Sequence, residues 1–194
     1  NIFPDHLNWH KDFADYLKAK SNIFAFQKTG DFLFAAKNDS FLRQFTKNAA
    51  SQIILANLPE KLEKIVDQNL GEHYRNSAAL AVAIAKHFRV GEATIQKILK
   101  NFRGLEGRQE LIAMIKGVRW INDTTATIPE ATMAALQRFT KNTRGRLILI
   151  AGGQDKNLDF RKMAGDIKKK VAELILLPGT ATEKLKKYLL PLKS

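Results

Sequence analysis

The sequence predicts an α/β protein whose sheet is mainly parallel. Along the 194 residues, segments with a helical spacing of apolar residues alternate with short apolar runs typical of strands. The clearest run, LILIA at 147–151, has the continuous hydrophobicity of a parallel strand buried on both faces. Because parallel strands need a crossover connection, usually a helix, this alternation favours a parallel sheet with right-handed crossovers.

The first half of the chain is predicted to contain two strands among several helices. In chain order we expect a helix over 13–24, a strand over 32–36, a turn and cap at 38–40 before a helix from 41, a strand over 51–56, an amphipathic helix over 59–66 and a helical block over 76–103 broken at Gly91. The two glycines of the segment FRGLEG at 102–107 then indicate a hinge between domains.

The second half begins with a predicted β-hairpin and continues with alternating helices and strands. The hairpin joins 111–115 to 118–121 through a Lys116-Gly117 turn. The segment TIPE at 127–130 has the spacing of a capping box that opens a helix to Phe139. After the 147–151 strand we expect a helix over 160–170, a strand over 173–177 and a second capping box at 180–183.

Composition and charge limit the classes of partner. Lysine and arginine outnumber aspartate and glutamate by 32 to 19, a net charge of +13. This excess fits an anionic partner, which could equally be nucleic acid or a substrate with carboxylates or phosphates. The absence of cysteine excludes disulfides, a thiolate nucleophile and cysteine-bound zinc, and it permits a reducing cytoplasm.

The sequence also leads to predictions about where the protein is located in the cell and whether these residues belong to a longer protein. Its apolar runs are far shorter than the roughly 20 residues of a membrane-spanning helix, so we predict a soluble, cytoplasmic protein that needs no membrane. The first residues, NIFPD, contain neither an initiator methionine nor a signal sequence. We therefore interpret the chain as a piece of a longer protein.

Two polar clusters follow predicted strands, where ligands bind in an open parallel sheet. NDTTAT at 122–127 precedes a helix N-terminus, whose free N–H groups favour an anion. GGQDK at 152–156 places a lysine on a glycine turn, which lets a ligand approach the backbone closely. Each cluster taken alone could be an ordinary turn. Together they predict a site for carboxylates or phosphates.

The histidines allow several interpretations. His6 and His10 are four residues apart, as zinc ligands on a helix can be, but a third ligand is missing. Asp5 and His6 could instead help to hold magnesium, which uses few protein ligands. His87 is interpreted as structural. Because neither a G-x-x-x-x-G-K-[ST] loop nor a G-x-G-x-x-G motif occurs in the sequence, the main phosphate cradle of any nucleotide site must lie outside these residues.

Six motifs in order resemble the Mur ligases of peptidoglycan synthesis, and in particular the branch that adds D-glutamate. They cover nearly the whole chain and are PDHL at 4–7, YLKAK at 16–20, GEH at 71–73, GLEGR at 104–108, NDTTATIPEAT at 122–132 and GGQDKNLDF at 152–160. The implied fold is the end of a P-loop-type ATPase domain followed by a Rossmann-like, mainly parallel sheet domain. The implied domains are the C-terminal part of the central ATP-binding domain at 1–104 and an amino-acid-binding domain at 105–194, the latter incomplete.

The resemblance also implies an activity. Such an enzyme uses ATP and Mg²⁺ to phosphorylate the alanyl carboxylate of UDP-N-acetylmuramoyl-L-alanine, and the amine of D-glutamate then attacks the acyl phosphate. Because the phosphate loop is missing here, these residues alone are expected to be inactive. A monomer is expected.

Individual roles follow from the same resemblance. His6 would bind magnesium, and Lys20 would be carbamylated, because a carbamate attracts the metal that an ammonium repels. Arg108 and Asp123 would reach the nucleotide, with Arg108 and Lys20 serving catalysis. The residues implied on the adenine side are Asn76 and Ser77, and those implied to hold the glutamate carboxylates are Thr127 and Lys156.

Two alternatives stay open at this point. One is another ligase of the same superfamily, such as an enzyme that adds a different amino acid or one similar to folylpolyglutamate synthase. The other is a basic nucleic-acid-binding module, which predicts lysine and arginine interleaved with exposed aromatic residues. The core-like spacing of Phe13, Tyr16 and Phe102 favours a buried role for the aromatic residues instead.

Overall fold

The chain divides into two compact units. A computed structural model describes residues 2, 4–37, 39, 42, 46–141 and 145–190. Unit 1 consists of Asn1–Pro4 and Lys11–Arg103, and unit 2 consists of Asp5–His10 and Gly104–Ser194. The short segment Asp5–His10 therefore groups with the second unit, whereas the sequence-based domain 1–104 includes it.

Unit 1 contains helices around a small parallel sheet. Its elements are α1 (Phe13–Lys20) with a 3₁₀ turn (Ser21–Ile23), β1 (Phe32–Ala36), β2 (Gln52–Ala56), α2 (Glu60–Asn69), a 3₁₀ turn (Glu72–Tyr74), α3 (Arg75–His87) and α4 (Glu92–Asn101). The predicted strands and helices of this half are confirmed, except for the cap at 38–40 and the helix from 41, which fall largely outside the described residues. Helix α1 begins where the Asp12 side chain accepts a hydrogen bond from the Asp15 N–H at 2.9 Å.

The core of unit 1 forms where three helices meet. Leu62 and Val66 of α2 are 1% and 0% exposed, and their spacing of four places them on one helix face. They pack with Ala78 and Val82 of α3 and with Leu99 of α4. Strands β1 and β2 are parallel, with Phe32 opposite Gln52.

Unit 2 begins with a hairpin and continues with a βαβ arrangement. Its elements are β3 (Glu110–Ile115), β4 (Val118–Asn122), α5 (Pro129–Lys141), β5 (Ile148–Ala151), α6 (Arg161–Lys170), β6 (Glu173–Leu176) and α7 (Thr180–Leu189). Strands β3 and β4 are antiparallel, and Lys116 and Gly117 between them both have positive φ, at 49° and 79°, as a two-residue type I′ turn requires. Strands β5 and β6 are parallel. The predicted α/β class with parallel pairing is confirmed.

The prediction that the 147–151 strand is buried on both faces is wrong. Leu149 packs against the unit 2 core, whereas Ile148 and Ile150 are 52% and 53% exposed. Strand β6 alternates in the same way. The core lies on one side of this sheet and includes Leu136 of α5, Met163 and Ile167 of α6 and Leu185 of α7. The apolar run therefore predicts a strand, but it does not show whether one or both faces of that strand are covered by other elements.

None of the described helices is long and apolar enough to cross a membrane.

Candidate functional site

The polar clusters predicted from the sequence lie in loops of unit 2. The first occupies 123–128, between β4 and α5, and the second, which we call the lysine loop, occupies 152–160 between β5 and α6. Strands β5 and β6 are parallel, so the lysine loop and the short connection at 177–179 leave the same edge of the sheet. The beginning of α7 therefore adjoins the lysine loop.

Helix α7 fixes the lysine loop through two side chains. The Thr180 hydroxyl accepts the Asp155 N–H at 2.8 Å and donates to Gln154 Oε1 at 2.9 Å. One turn later, Lys184 Nζ lies 2.9 Å from Asp155 Oδ2. Asp155 in turn caps the loop, because its Oδ1 accepts the Leu158 N–H at 3.1 Å. These contacts set the path of the loop on both sides of Lys156.

The capping boxes predicted at 127–130 and 180–183 are displaced. Helix α7 begins at Thr180 with Gly179 as its N-cap, so the Thr180 hydroxyl is directed to the lysine loop instead of the helix N-terminus. Helix α5 begins at Pro129, one residue later than a cap at Thr127 requires. Proline is favoured at the first helical position because its missing N–H would be unpaired there.

Glycine is required where the lysine loop crosses the connection at 177–179. A Cβ at Gly179 would lie 2.1 Å from the Gly153 carbonyl oxygen, and a Cβ at Gly152 would lie 2.5 Å from the Leu177 carbonyl oxygen. The same Gly153 oxygen accepts the Ala181 N–H at 3.0 Å. Packing between the connections therefore requires glycine at positions 152 and 179, whereas a Cβ at Gly153 would meet nothing within 4 Å.

Lys156 is paired with a carboxylate from the N-terminal segment of unit 2. Its Nζ lies 3.1 Å from Asp5 Oδ1, and the side chains of Lys156 and Asp5 are 25% and 18% exposed. The other oxygen, Asp5 Oδ2, lies 3.3 Å from His6 Nε2. The structure thus brings His6 and Lys156 together on one aspartate, an arrangement that the sequence did not predict.

The loop after β4 is tied to the segment that precedes β3. Asp123 Oδ1 accepts the Gln109 N–H at 3.0 Å. The Gly107 carbonyl oxygen accepts both the N–H and the hydroxyl of Thr125, at 3.1 and 2.6 Å. Arg108, which lies between these two anchors, is exposed. Two residues assigned to the nucleotide therefore sit on segments that are fixed to each other.

Burial raises the pKa of the Asp123 carboxyl above its ordinary value. Three smaller effects oppose this rise, namely the hydrogen bond from Gln109 and the positive charges of Arg108 and Arg138. Arg138 also donates from Nη1 to Gln109 Oε1 at 3.2 Å. A half-buried carboxylate among cations has lost part of its hydration, which makes it a candidate functional group.

The remaining predicted residues are more dispersed. Thr127 is exposed on the loop after β4. Asn76, half-buried, and Ser77, exposed, lie in the first turn of α3 in unit 1. Lys20 ends α1, also in unit 1, and its ammonium lies 5.3 Å from the centroid of the Tyr16 ring.

Metal ligands do not cluster in the described part of the chain. It contains no group of three His, Asp or Glu residues placed to hold a metal ion. The zinc interpretation of His6 and His10 therefore gains no third ligand among these residues. The ring of His87, an exposed residue, packs against Phe32 and Phe34, with centroids 4.3 and 5.5 Å apart, and its structural role stays a prediction.

Comparison with known proteins decides the family. A model of the Mur ligase middle domain matches residues 1–98, and a model of the Mur ligase glutamate ligase domain matches residues 107–190. The chain belongs to the Mur ligase family. The resemblance stated from the motifs is thereby confirmed.

Curated Mur ligases extend the match over almost the whole chain. Proteins named UDP-N-acetylmuramoylalanine–D-glutamate ligase are 33% identical in Natranaerobius thermophilus, over 95% of this chain, and 31% and 30% identical in Clostridium botulinum and Clostridium tetani, each over 93%. The chain spans 44%, 42% and 42% of the length of these relatives, which is less than half.

Several residues of this candidate site are not predicted from the sequence. Thr180 and Lys184 are spaced by four on α7, so a search for polar pairs on one helix face could have found them. No local signal marks Gln109 or Arg138, because their partners are distant in sequence. For Asp5 the sequence predicts only the role of a metal ligand.

Replacement of Gly179, at the crossing of the two connections, and of Gly165, away from it, should change the stability of unit 2 in opposite directions. Gly179→Ala should lower the free energy of unfolding of unit 2 by at least about 1–2 kcal/mol, because its Cβ would meet backbone. Gly165→Ala, inside α6 with nothing within 4 Å of the added Cβ, should raise it by about 0.5–1 kcal/mol. The two tryptophans, Trp9 and Trp120, both lie in unit 2, so urea unfolding followed by tryptophan fluorescence measures both effects. Equal effects would contradict this packing.

The burial of Asp123 predicts that its ionised carboxylate lowers the free energy of unfolding by an amount that depends on pH. Folding raises the pKa of this carboxyl above 3.8. Its contribution to the free energy of unfolding is therefore fully present below about pH 3.8, where the carboxyl is protonated, and is lost as the pH rises through the folded pKa. Asp123→Asn keeps an oxygen that can accept from Gln109, so the variant should be more stable than the unmodified chain at pH 7. The gain should shrink in acid. Urea unfolding at several pH values tests this, and a less stable variant at pH 7 would show that the arginines outweigh burial.

Proposed function

We propose that this chain supplies the later part of an ATP-dependent ligase that adds D-glutamate to UDP-N-acetylmuramoyl-L-alanine in peptidoglycan precursor synthesis. The observation that carries the proposal is the match, over 93–95% of the chain, to relatives named for this reaction. The lysine loop supports it, because a cation held on a fixed glycine turn suits a dicarboxylic amino acid. Residues 1–104 would belong to the nucleotide-binding domain and 105–194 to the amino-acid-binding domain.

The reaction transfers the γ-phosphoryl group of ATP to an alanyl carboxylate oxygen, which gives an acyl phosphate and ADP. The D-glutamate amine then attacks the carbonyl carbon, the bond to the phosphate oxygen breaks, and inorganic phosphate leaves as the amide forms. Carboxylate, triphosphate and glutamate are all anionic. The protein must therefore place cations where these charges meet.

In unit 2 we assign Lys156 and Thr127 to the carboxylates of D-glutamate, and Arg108 and Asp123 to the nucleotide. Lys156 supplies an ammonium for a charge-assisted hydrogen bond. Arg108 supplies a charge that stays positive at any working pH and geometry suited to phosphate oxygens. The bonds from Gln109 to Asp123 and from Thr125 to Gly107 keep these two residues in a fixed relation.

We assign Asn76 and Ser77 of unit 1 to the adenine side. The family resemblance would further give magnesium two ligands, Lys20 of unit 1 as a carbamate and His6 of unit 2. The described residues do not by themselves fit a magnesium ion. The Asp5 carboxylate beside His6 is paired with the Lys156 ammonium, which would repel a cation, and no group of three suitable ligands occurs among the described residues. No step of the reaction is therefore assigned to the ion.

The proposal predicts a selective loss on removal of Lys156. The test uses a chimera in which these residues replace the matching part of the Natranaerobius thermophilus relative, with ADP release measured as each substrate is varied. A charge-assisted contact is worth about 1.5–3 kcal/mol, so Lys156→Ala should weaken glutamate use by roughly ten- to more than a hundredfold. The KM values for ATP and the UDP-sugar should change little. Lys156→Arg should rescue only in part, because its donors lie differently.

A matched control is available on α6. Lys170 is paired with Asp166 at 3.0 Å and is 28% exposed, close to the value for Lys156, so Lys170→Ala removes an equivalent ion pair outside the loops. It should leave the kinetics unchanged. An unchanged glutamate KM and kcat in Lys156→Ala would overturn the assignment. A chimera that releases ADP in response to another amino acid, and not to D-glutamate, would overturn the proposed substrate.

A further inference from the structure

The Asp5 carboxylate already forms an ion pair with Lys156, the cation that we assign to the substrate. Its Oδ1 lies 3.1 Å from Lys156 Nζ and also accepts the His6 N–H at 2.8 Å, while Oδ2 lies 3.3 Å from His6 Nε2. Aspartate and glutamate carry the same functional group. The contact of Asp5 with Lys156 is therefore the contact that a glutamate carboxylate would make.

We propose that Asp5 is an internal competitor for Lys156, which an incoming substrate carboxylate must displace. This inference rests on the assignment of Lys156 to D-glutamate. It adds a specificity-determining residue to the site, and it couples occupation of Lys156 to the position of the segment 5–10.

Charge sets the two carboxylates in competition. One ammonium carries one positive charge, so a carboxylate that approaches Lys156 while Asp5 stays in place meets a neutral pair and gains less than it would after Asp5 has left. The 25% exposure of Lys156 and the 18% exposure of Asp5 leave the pair partly open to solvent. A ligand in solution can therefore reach the ammonium.

We expect Asp5 to be the partner that moves, because the backbone around Lys156 is fixed. The lysine loop is bonded to Thr180 and Lys184 of α7 through Gln154 and Asp155. The segment around Asp5, by contrast, is a short turn in which the N–H groups of Trp9 and His10 both bond to the His6 carbonyl oxygen. Release of Asp5 breaks none of these turn bonds.

An internal competitor affects which ligands bind. Because Asp5 is tethered close to Lys156, its effective concentration is high, and a ligand that offers one carboxylate and nothing else gains no advantage over it. An amino acid that adds a second carboxylate and an amine has further contacts to offer. Asp5 would thus reject simple carboxylates such as acetate while admitting a dicarboxylic amino acid.

The turn contains its own probe. Trp9, 85% exposed, lies three residues after His6, and Trp120 is the second tryptophan of the chain. In a ¹⁵N-labelled chain the indole N–H signal of Trp9, assigned with Trp120→Phe, should report release of the segment. Without any ligand, Asp5→Asn and Lys156→Ala should move this signal to the same new position. If neither variant moves it, the contact does not hold the segment and the inference fails.

Titration with D-glutamate gives the second test. In the unmodified chain the Trp9 signal should move toward the position seen in the two variants. Asp5→Asn should bind D-glutamate about two- to fivefold more tightly, as expected when a partly exposed ion pair no longer has to open first. In that variant the Trp9 signal should no longer respond. Lys156→Ala should bind D-glutamate roughly ten- to more than a hundredfold more weakly than the unmodified chain.

The control is Asp166→Asn, which removes the carboxylate of another partly exposed lysine pair in unit 2 and makes the same change in net charge. It should leave D-glutamate affinity and the Trp9 signal unchanged. Affinity in Asp5→Asn that is equal to or weaker than in the unmodified chain, with binding still at least tenfold weaker in Lys156→Ala, would overturn the competitor and leave the glutamate assignment standing. Affinity that is unchanged in Lys156→Ala, or binding that is absent from the unmodified chain and Asp5→Asn alike, would overturn both.

Discussion

The site depends on one close approach between two backbones. Strands β5 and β6 run parallel, so the connections that follow them emerge at one edge, and the Gly153 carbonyl lies where any side chain at position 179 would have to be. This contact places Thr180 beside Asp155 and Gln154. Lys156 obtains a fixed position on a loop because two neighbouring connections share a space that only glycine backbones fit.

The sequence predicts the parts of unit 2 better than their connections. Apolar periodicity located β3 to β6 and the helices between them, since alternation and helical spacing are local properties of the chain. It could not show that Ile148 and Ile150 are half exposed, because the number of covered faces depends on what packs there. The capping boxes failed for a related reason. Thr180 is a good cap by type, but its hydroxyl bonds to a loop 25 residues earlier.

The candidate site shows the same limit. Lys156, Asp123 and Arg108 were identified from motifs, and the structure places all three in unit 2 on anchored loops. Gln109 bonds to Asp123 directly and is itself bonded to Arg138, while Thr180 and Lys184 act on the neighbours of Lys156, Gln154 and Asp155. No local pattern encodes these contacts. The pairing of Lys156 with Asp5 spans 151 positions, and the sequence offers nothing that would distinguish Asp5 as its partner.

The net charge of +13 is therefore a poor description of what an anion meets at this site. Lys184 is paired with Asp155 and Lys156 with Asp5, while Arg108 and Arg138 lie near the half-buried Asp123. General attraction raises the local concentration of any anion. A cation that is already paired with a carboxylate attracts a second anion less strongly than an unpaired cation does, so a weak or simple anion gains little from it. Selectivity at such a site comes from the contacts that a substrate adds beyond its charge, and the acidic residues of a basic protein are the ones that impose this requirement.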